Sequence, residues 1–380
     1  MSRTSLERRM KIARECLDND FVPRHLGFDH ISRQQIIERN LTVPTSLFAN
    51  NQEAIVICDG TYMYVQKSSN FSFQKDTYSM HKYRNLLKPF LLVTCDGHII
   101  EVCGPYAATT NDATILNNLL DGPERAIHWL LCSGDIFILD RGFRDSIASL
   151  ETHGYIGIMP QSQARRGSQL ATIDANKSRL CTICLWPVEV VNGRLKRDFK
   201  IFRHEFCNVA MNCCSDNAFH VDIIDNANAR EFINIARERV NVANHLADYV
   251  DERRLNRNRA HFANISVGRD NITAFPVLTL EELTLFAVGT YQIKLAPSYY
   301  SEHIRITDSF VIQNYNGHLN ELSDFSMPSN NVQLIRAHIK SRHTSSKVYH
   351  CYILINENNH GLGSIEHYCC SCFTGRRTIG

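Results

Sequence analysis

The chain has 380 residues, a formal net charge of +2, 44% hydrophobic residues and 21% charged residues. That composition excludes wholesale disorder and suits two or three domains, or one large domain with appendages. Uncharged apolar stretches such as Phe90–Cys95 are strand-sized, well short of the ~18 residues a membrane span needs. The opening Met1–Leu17 is basic and amphipathic without the apolar core of a secretory leader. A charge so near neutral neither demands nor excludes nucleic acid, so any basic surface must be local. Fourteen cysteines in a chain with no leader argue against a disulfide framework. Cys58, Cys95, Cys103 and Cys132 lie in apolar runs and read as small buried hydrophobes.

Residues 1–50 read as helix and connector, with Arg3, Arg8, Arg9, Lys11 and Arg14 on a first helix. Ala54–Val65 is rich in β-branched and aromatic residues and reads as a strand with Asp59-Gly60 inside it. Phe90–Cys95 and His98–Val102 flank Asp96-Gly97, the signature of a hairpin. Asn111–Leu120 is a short helix with Asn111 or Asp112 as its cap. Asp135–Phe143 is a strand, Asp145–His153 a helix closed by Gly154, and Tyr155–Met159 a strand ended by Pro160. The polar stretch Gln161–Arg179, with Arg165, Arg166 and Lys177, reads as a mobile basic loop. A helical pattern then runs from Cys181 to about Phe199 and carries Glu189 and Lys196. Further helices follow, with a basic patch at Arg253, Arg254, Arg257 and Arg259, and a mixed region extends from about residue 275. Three antiparallel strands followed by alternating helices and strands predict a mixed α/β sheet.

Three carboxylates stand at suggestive places in this order. Asp59 lies within the first strand, Asp140 near the end of the fourth, and Glu189 on the helix beyond the basic loop. Pairing of the first strand with the fourth would set Asp59 beside Asp140. Converging carboxylates repel and lose hydration unless cations neutralise them. Mg²⁺ or Mn²⁺ is the natural choice for oxygen ligands, and two ions about 4 Å apart hold both the attacking and the leaving oxygen of a phosphodiester. An Asp before a Gly is more often a turn residue. Asp96-Gly97 has only that reading, whereas Asp59 is flanked by strand on both sides and would be costly to bury without a partner.

Residues 51–230 resemble the catalytic domain of DDE-type transposases related to Harbinger-like elements and bacterial insertion sequences. The matching pieces are CDGTYMYVQKSSN at 58–70, GPYAATTNDATIL at 104–116, LDRGFRDS at 139–146 and WPVEVVNGRLK at 186–196. The resemblance implies an RNase H-like mixed five-stranded sheet flanked by helices, and makes Asp59, Asp140 and Glu189 a metal-binding catalytic triad for two Mg²⁺ or Mn²⁺ ions. Asp112 is either a helix cap or a fourth acidic ligand. Lys196, seven residues after Glu189, would meet a DNA phosphate, with Arg194, Arg165 and Arg166 as further DNA contacts. Where the family often has Arg four residues before the Glu, this chain has Leu185. The implied partners are transposon ends and target DNA in the nucleus, with a homo-oligomer left open and no membrane. The alternative is a domesticated or decayed transposase derivative that binds DNA or protein without cutting.

The segment HYCCSCFTGRRTIG at 367–380 resembles the opening of a SWIM-type zinc finger. Cys370 and Cys372 fit its first ligand pair, and the second pair would fall beyond Gly380. Zn²⁺, which takes about four ligands in a structural site, would bind only if that finger were completed or if His367 or Cys369 substituted. Cys181-x-x-Cys184 with His204-x-x-Cys207 has admissible zinc spacing, but core packing of the cysteines is the simpler reading. The expected organisation is a helical lead-in over 1–50, the nuclease domain over 51–230, a helical basic linker over 231–274 and a C-terminal α+β region over 275–380.

Overall fold

The computed structural model describes residues 3–123, 126–162, 169–199, 202, 223, 226–265, 275–304, 311–341 and 346–380. The chain divides into two compact units. One comprises Met1–Pro160 and Cys184–Ala229, the other Gln161–Ile183 and Arg230–Gly380.

The first unit is built on β1 (Ile55–Gly60), β2 (Arg84–Val93), β3 (Ile99–Ala107), β4 (Ile136–Ile138) and β5 (Ile156–Ile158). β2 runs antiparallel to both β1 and β3, while β4 is parallel to β1 and β5 parallel to β4. The order is therefore β3-β2-β1-β4-β5, the mixed RNase H-like arrangement anticipated from the sequence. Two short pieces, Met63–Tyr64 and Tyr78–Ser79, also pair with β2 and bring the sheet to seven strands. Ile55, Val56, Ile57 and Cys58 are all buried because β1 is covered on both faces. The β2–β3 connection turns at Gly97, whose φ of +84° suits glycine, and its amide donates to the Thr94 carbonyl at 3.0 Å.

Helix α1 (Asp112–Asp121) is capped by Asn111, whose Oδ1 accepts from the Thr114 amide at 2.6 Å. Its Ile115, Leu116 and Leu120 pack with Val56, Cys58, Phe90, Leu92, Phe137 and Phe143 in the main core. Cys58 and Cys95 are buried as expected, but Cys132 is exposed. It precedes a turn whose amides bind Asp135, which leaves its side chain outside the core. β4 ends earlier than the sequence pattern suggests. Asp140 accepts from the Gly142 amide at 2.7 Å and caps the 3-10 turn Arg141–Ser146, which leads into α2 (Ile147–Thr152).

Asp135 anchors the other end of β4. Its fully buried carboxylate accepts from Arg33 Nη2 at 2.6 Å, Arg33 Nε at 2.8 Å, the Ala54 amide at 2.8 Å and the Cys132 amide at 2.7 Å. These donors tie the lead-in helix Arg33–Glu38 to the starts of β1 and β4. Arg33 is 31% exposed and can turn to water, but replacing Asp135 leaves the Ala54 and Cys132 amides without their acceptor, and each buried donor left unsatisfied costs about 1–3 kcal/mol. Asp135→Ala is therefore expected to destabilise the chain by roughly 3 kcal/mol in thermal unfolding followed by circular dichroism. A loss under about 1 kcal/mol would show that the pair is dispensable.

The single helix expected from Cys181 to Phe199 is two: α3 (Thr172–Cys184) and α4 (Trp186–Asp198), broken at Leu185. Pro187 lacks an amide and its ring would clash with a carbonyl one turn earlier, so it opens a new helix instead of continuing the old one. Cys181 and Cys184 consequently sit on α3, not on the helix of Glu189, and both are buried. The expected loop over 161–179 shortens for the same reason, since α3 already includes Lys177. Arg165 and Arg166 lie outside the described residues, as do His204 and Cys207.

The second unit contains α5 (Ala229–Arg239), α6 (His245–Glu252) and a five-stranded antiparallel sheet of β6 (Phe262–Ile265), β7 (Val311–Tyr315), β8 (Val332–Lys340), β9 (Val348–Asn356) and β10 (Ile365–Cys370), in sequential order. Leu246, Tyr249 and Val250 of α6 pack on Phe262, Leu334, Tyr352 and Leu354. Arg336 is 2% exposed despite its charge. Its guanidinium lies 3.4 Å from the Phe262 ring centroid and donates to the carbonyls of Leu255 and Asn258 at 2.8 and 2.9 Å. It ties the loop after α6 to the sheet.

Candidate active site

The parallel register of β1 and β4 pairs Ile57 with Ile138. Continuing both chains two residues brings Asp59 and Asp140 side by side at the carboxyl ends of their strands. Asp112 opens α1 above the same strand end. Asn111 performs the capping, which leaves the Asp112 side chain available for the site. α4 packs against β1 and β2 and carries Glu189, Asn192 and Lys196 at positions i, i+3 and i+7, one helical face.

Gly60 explains why Asp59 precedes a glycine within a strand. A Cβ at position 60 would lie 2.3 Å from Asp112 Oδ1 and 3.1 Å from Lys88 Cδ. The missing side chain is thus the space in which the Asp112 carboxylate reaches β1. The sequence offered Asp-Gly as a turn signal, and the close approach of a second carboxylate became visible only with α1 in place.

The electrostatics follow from this crowding. Asp59 is pushed up to about 7, first by burial, then by the charges of Asp140 and Asp112, with Glu189 contributing less and the Gly60 amide opposing. Asp140 reaches solvent, yet the surrounding protein desolvates its carboxyl and raises it, the Gly142 amide opposes this, and Asp112 adds a further push upward. Burial also raises Glu189. Lys88 stands as the internal counter-charge: its Nζ is 3.3 Å from Asp112 Oδ1 and donates to the Thr110 carbonyl at 2.8 Å. Lys196 is lowered by burial, while Asp59 acts to raise it and Lys82 to lower it further, which places its ammonium near the cluster.

Asn192 was missed by the sequence analysis. Its Nδ2 donates to Asp59 Oδ2 at 2.8 Å, and its own Oδ1 is buried without a hydrogen-bond partner. The i+3 spacing from Glu189 was the available signal. Tyr62 was missed as well. Burial raises its phenol first, then the charges of Asp112, Asp59 and Asp140 raise it further, so it borders the carboxylates. Arg194 is five residues from Glu189 and so falls on another helix face. It lines a cavity of about 350 Å³ with Gly97, Ile99, Val191, Leu195, Asp198 and Phe199.

Among the described residues, no three His, Cys, Asp or Glu side chains are drawn together closely enough to hold an ion as they stand. The three aspartates are engaged by other groups instead: Asp59 by a hydrogen bond from Asn192, Asp112 by an ion pair with Lys88 and Asp140 by the Gly142 amide. The donor set nevertheless suits a hard divalent cation. It consists of carboxylate oxygens, and Asp112 Oδ1 is buried with only the Lys88 ion pair beside it and no hydrogen bond.

The C-terminal cysteines are a separate matter. Cys370 ends β10, and the Cys372 amide donates to its sulfur at 3.3 Å. The turn needs Gly375, where a Cβ would lie 1.8 Å from the Cys370 carbonyl oxygen. Cys372 is lowered to about 6, chiefly by the Cys370 thiol bonded to it, and Cys370 is raised by the same pairing and by burial. Strand alternation turns His367 and Cys369 to the opposite face, with Cys369 in the core, so neither joins the pair as a zinc ligand.

Residues 58–224 match the family model described as DDE superfamily endonuclease. The resemblance carried by the four motifs therefore holds over somewhat under half of the chain. No curated protein and no solved structure matches the chain. No described helix is long and apolar enough to cross a membrane.

Proposed function

We propose, from the match of residues 58–224 to the DDE superfamily endonucleases, that this unit cuts DNA phosphodiesters at Asp59, Asp140 and Glu189 as the nuclease of a transposase. One observation carries the reading: β1 and β4 pair in parallel at Ile57 and Ile138, which sets Asp59 and Asp140 together at a strand end that α4 overhangs with Glu189. Bound by Asp59, Asp140 and Glu189, with Asp112 as a further ligand, two Mg²⁺ or Mn²⁺ ions would activate the attacking water or 3′-hydroxyl and neutralise the leaving 3′ oxygen.

The protein's own groups prepare that site. Asn192 fixes the Asp59 carboxylate through one oxygen. Gly60 admits Asp112, and Lys88 balances its charge. Lys196 is the phosphate contact nearest the cluster, and Arg165, Arg166 and Arg194 are further DNA contacts of this proposal. A freed 3′-hydroxyl held in the same place would permit strand transfer into target DNA. In this proposal the protein works in the nucleus, and a homo-oligomer would bring two ends together.

Incubation with duplex carrying transposon ends and Mn²⁺ should yield fragments with 3′-hydroxyl and 5′-phosphate termini. Intact DNA across a range of ends, with the folded protein present, would overturn the reading. A non-cutting role is the second reading. It is favoured by Leu185, which stands at the α3–α4 break where the family often has Arg. Calorimetric titration with Mn²⁺ separates the two, since a non-enzymatic derivative would bind none.

A further inference from the structure

The segment joining β1 to β2, residues 61–83, does more than connect two strands. Thr61, Met63 and Val65 point inward and are buried, with Met63 and Val65 packing beside Leu87. The alternation places Tyr62 and Tyr64 together on the opposite face, roughly 7 Å apart along the strand. Each ring is attended by cations. Lys82 Nζ and Lys88 Nζ lie 5.5 and 5.6 Å from the Tyr62 centroid, and the Arg84 guanidinium lies 5.4 Å from that of Tyr64.

Tyr83 is a further tyrosine in this segment. It is 80% exposed, lies between Lys82 and Arg84 in sequence, and has a backbone φ of +54°. A bulky residue in the left-handed region is strained, and such strain persists only where the surroundings impose it. Here the register imposes it, because Tyr78–Ser79 must fold back so that Ser79 pairs with Arg84. The strain leaves an aromatic ring in water, flanked in sequence by two cations. Residues 61–84 carry Lys67, Lys75, Lys82 and Arg84 against a single acid, Asp76.

We propose that Tyr62, Tyr64 and Tyr83, with Lys82 and Arg84, form a stacking platform for the unpaired bases of a DNA strand leading into the carboxylate cluster. Rings and cations in alternation suit single-stranded nucleic acid: bases stack on the tyrosines while the ammonium and guanidinium groups follow the phosphates. A paired duplex keeps its bases stacked on one another and can use only the charges. Tyr62 supplies the junction, since Lys88 Nζ lies 5.6 Å from its ring centroid and 3.3 Å from Asp112 Oδ1. The proposal rests on the nuclease reading for the identity of the strand but concerns binding, so it is testable apart from cleavage.

The experiment measures fluorescence anisotropy of a labelled single-stranded oligonucleotide and of its duplex, with the full chain in EDTA, alongside duplex cleavage in Mn²⁺. Tyr62→Ala and Tyr83→Ala are each expected to weaken single-strand binding roughly tenfold, with duplex binding within about twofold. Tyr62→Phe and Tyr83→Phe, which keep the ring, should bind as wild type does. Lys82→Ala should weaken both substrates and flatten the salt dependence. Alanine variants that bind the single strand as tightly as wild type, or that lose duplex binding in equal measure, would overturn the platform. A wild-type chain that cuts duplex but does not bind the single strand overturns the platform alone. Ring-dependent single-strand binding without any cleavage supports the platform and rejects the nuclease reading.

Discussion

Asp59→Asn is expected to reduce Mn²⁺-dependent DNA cleavage by at least about a thousandfold, equivalent to ~4 kcal/mol of transition-state stabilisation. Asparagine keeps the shape and an oxygen that can accept from Asn192, so the loss reports charge and metal affinity rather than packing. Glu189→Gln should lose activity on the same scale, because Glu189 stands on α4, where its charge acts on Asp59, while Asp59 and Asp140 come from the sheet end. Asn192→Ala makes an informative contrast. It removes one hydrogen bond to Asp59 and leaves every carboxylate, so a loss of about tenfold is expected. Cleavage at wild-type rates by Asp59→Asn, in a protein whose circular dichroism is unchanged, would remove Asp59 from the reaction. Equal losses in Asn192→Ala and Asp59→Asn would instead indicate that the carboxylate acts only through the helix contact.

Part of this site could be read directly along the chain. β1 is legible because a strand covered on both faces is continuously apolar, and Ile55–Cys58 is such a run. The β2–β3 hairpin is legible because Asp96-Gly97 has the local chemistry of its turn. Asp140 and Glu189 lie near strand and helix signals of ordinary strength. What could not be read is long-range. Asp135 looked like the first residue of a strand and proves to be a buried anchor, because its partner Arg33 is a hundred positions away. The burial of Arg336 has no local sign, because nothing near it in sequence shows that Phe262 and two carbonyls will enclose it. Strand on both sides argues against a turn at Asp59-Gly60, but the reason for the glycine is its neighbour Asp112, which belongs to a different element. The α3–α4 break was local, and Pro187 marked it, but an uninterrupted apolar pattern obscured it.

The metal-free protein is expected to lose stability as pH rises from about 4 to about 7, and Asp59→Asn should remove that loss. In the unfolded chain an aspartyl group releases its proton near 3.8, whereas folded Asp59 holds its proton to about 7. Between those values the folded state binds more protons than the unfolded state, so unfolding free energy falls with increasing pH. Below about pH 4 both states are protonated and the penalty is absent, while above about pH 7 both are ionised and it is constant. A three-unit difference corresponds to about 4 kcal/mol at most. Discounted for incomplete burial and relaxation of neighbours, it leaves on the order of 2–3 kcal/mol. Wild type and Asp59→Asn should therefore have similar midpoints near pH 4, and by pH 8 the variant should melt about 5–10 °C higher. Mn²⁺ acts in the opposite sense. It neutralises the carboxylates only in the folded state, so saturating ion should raise the wild-type midpoint at pH 8 by mass action and raise that of Asp59→Asn much less. A gap between the two proteins that stays constant from pH 4 to pH 8 would show that Asp59 does not carry the repulsion. Equal Mn²⁺ shifts in both proteins would show that the ion binds without this carboxylate. Both measurements are independent of DNA, so they test the carboxylate cluster even in a chain that never cuts.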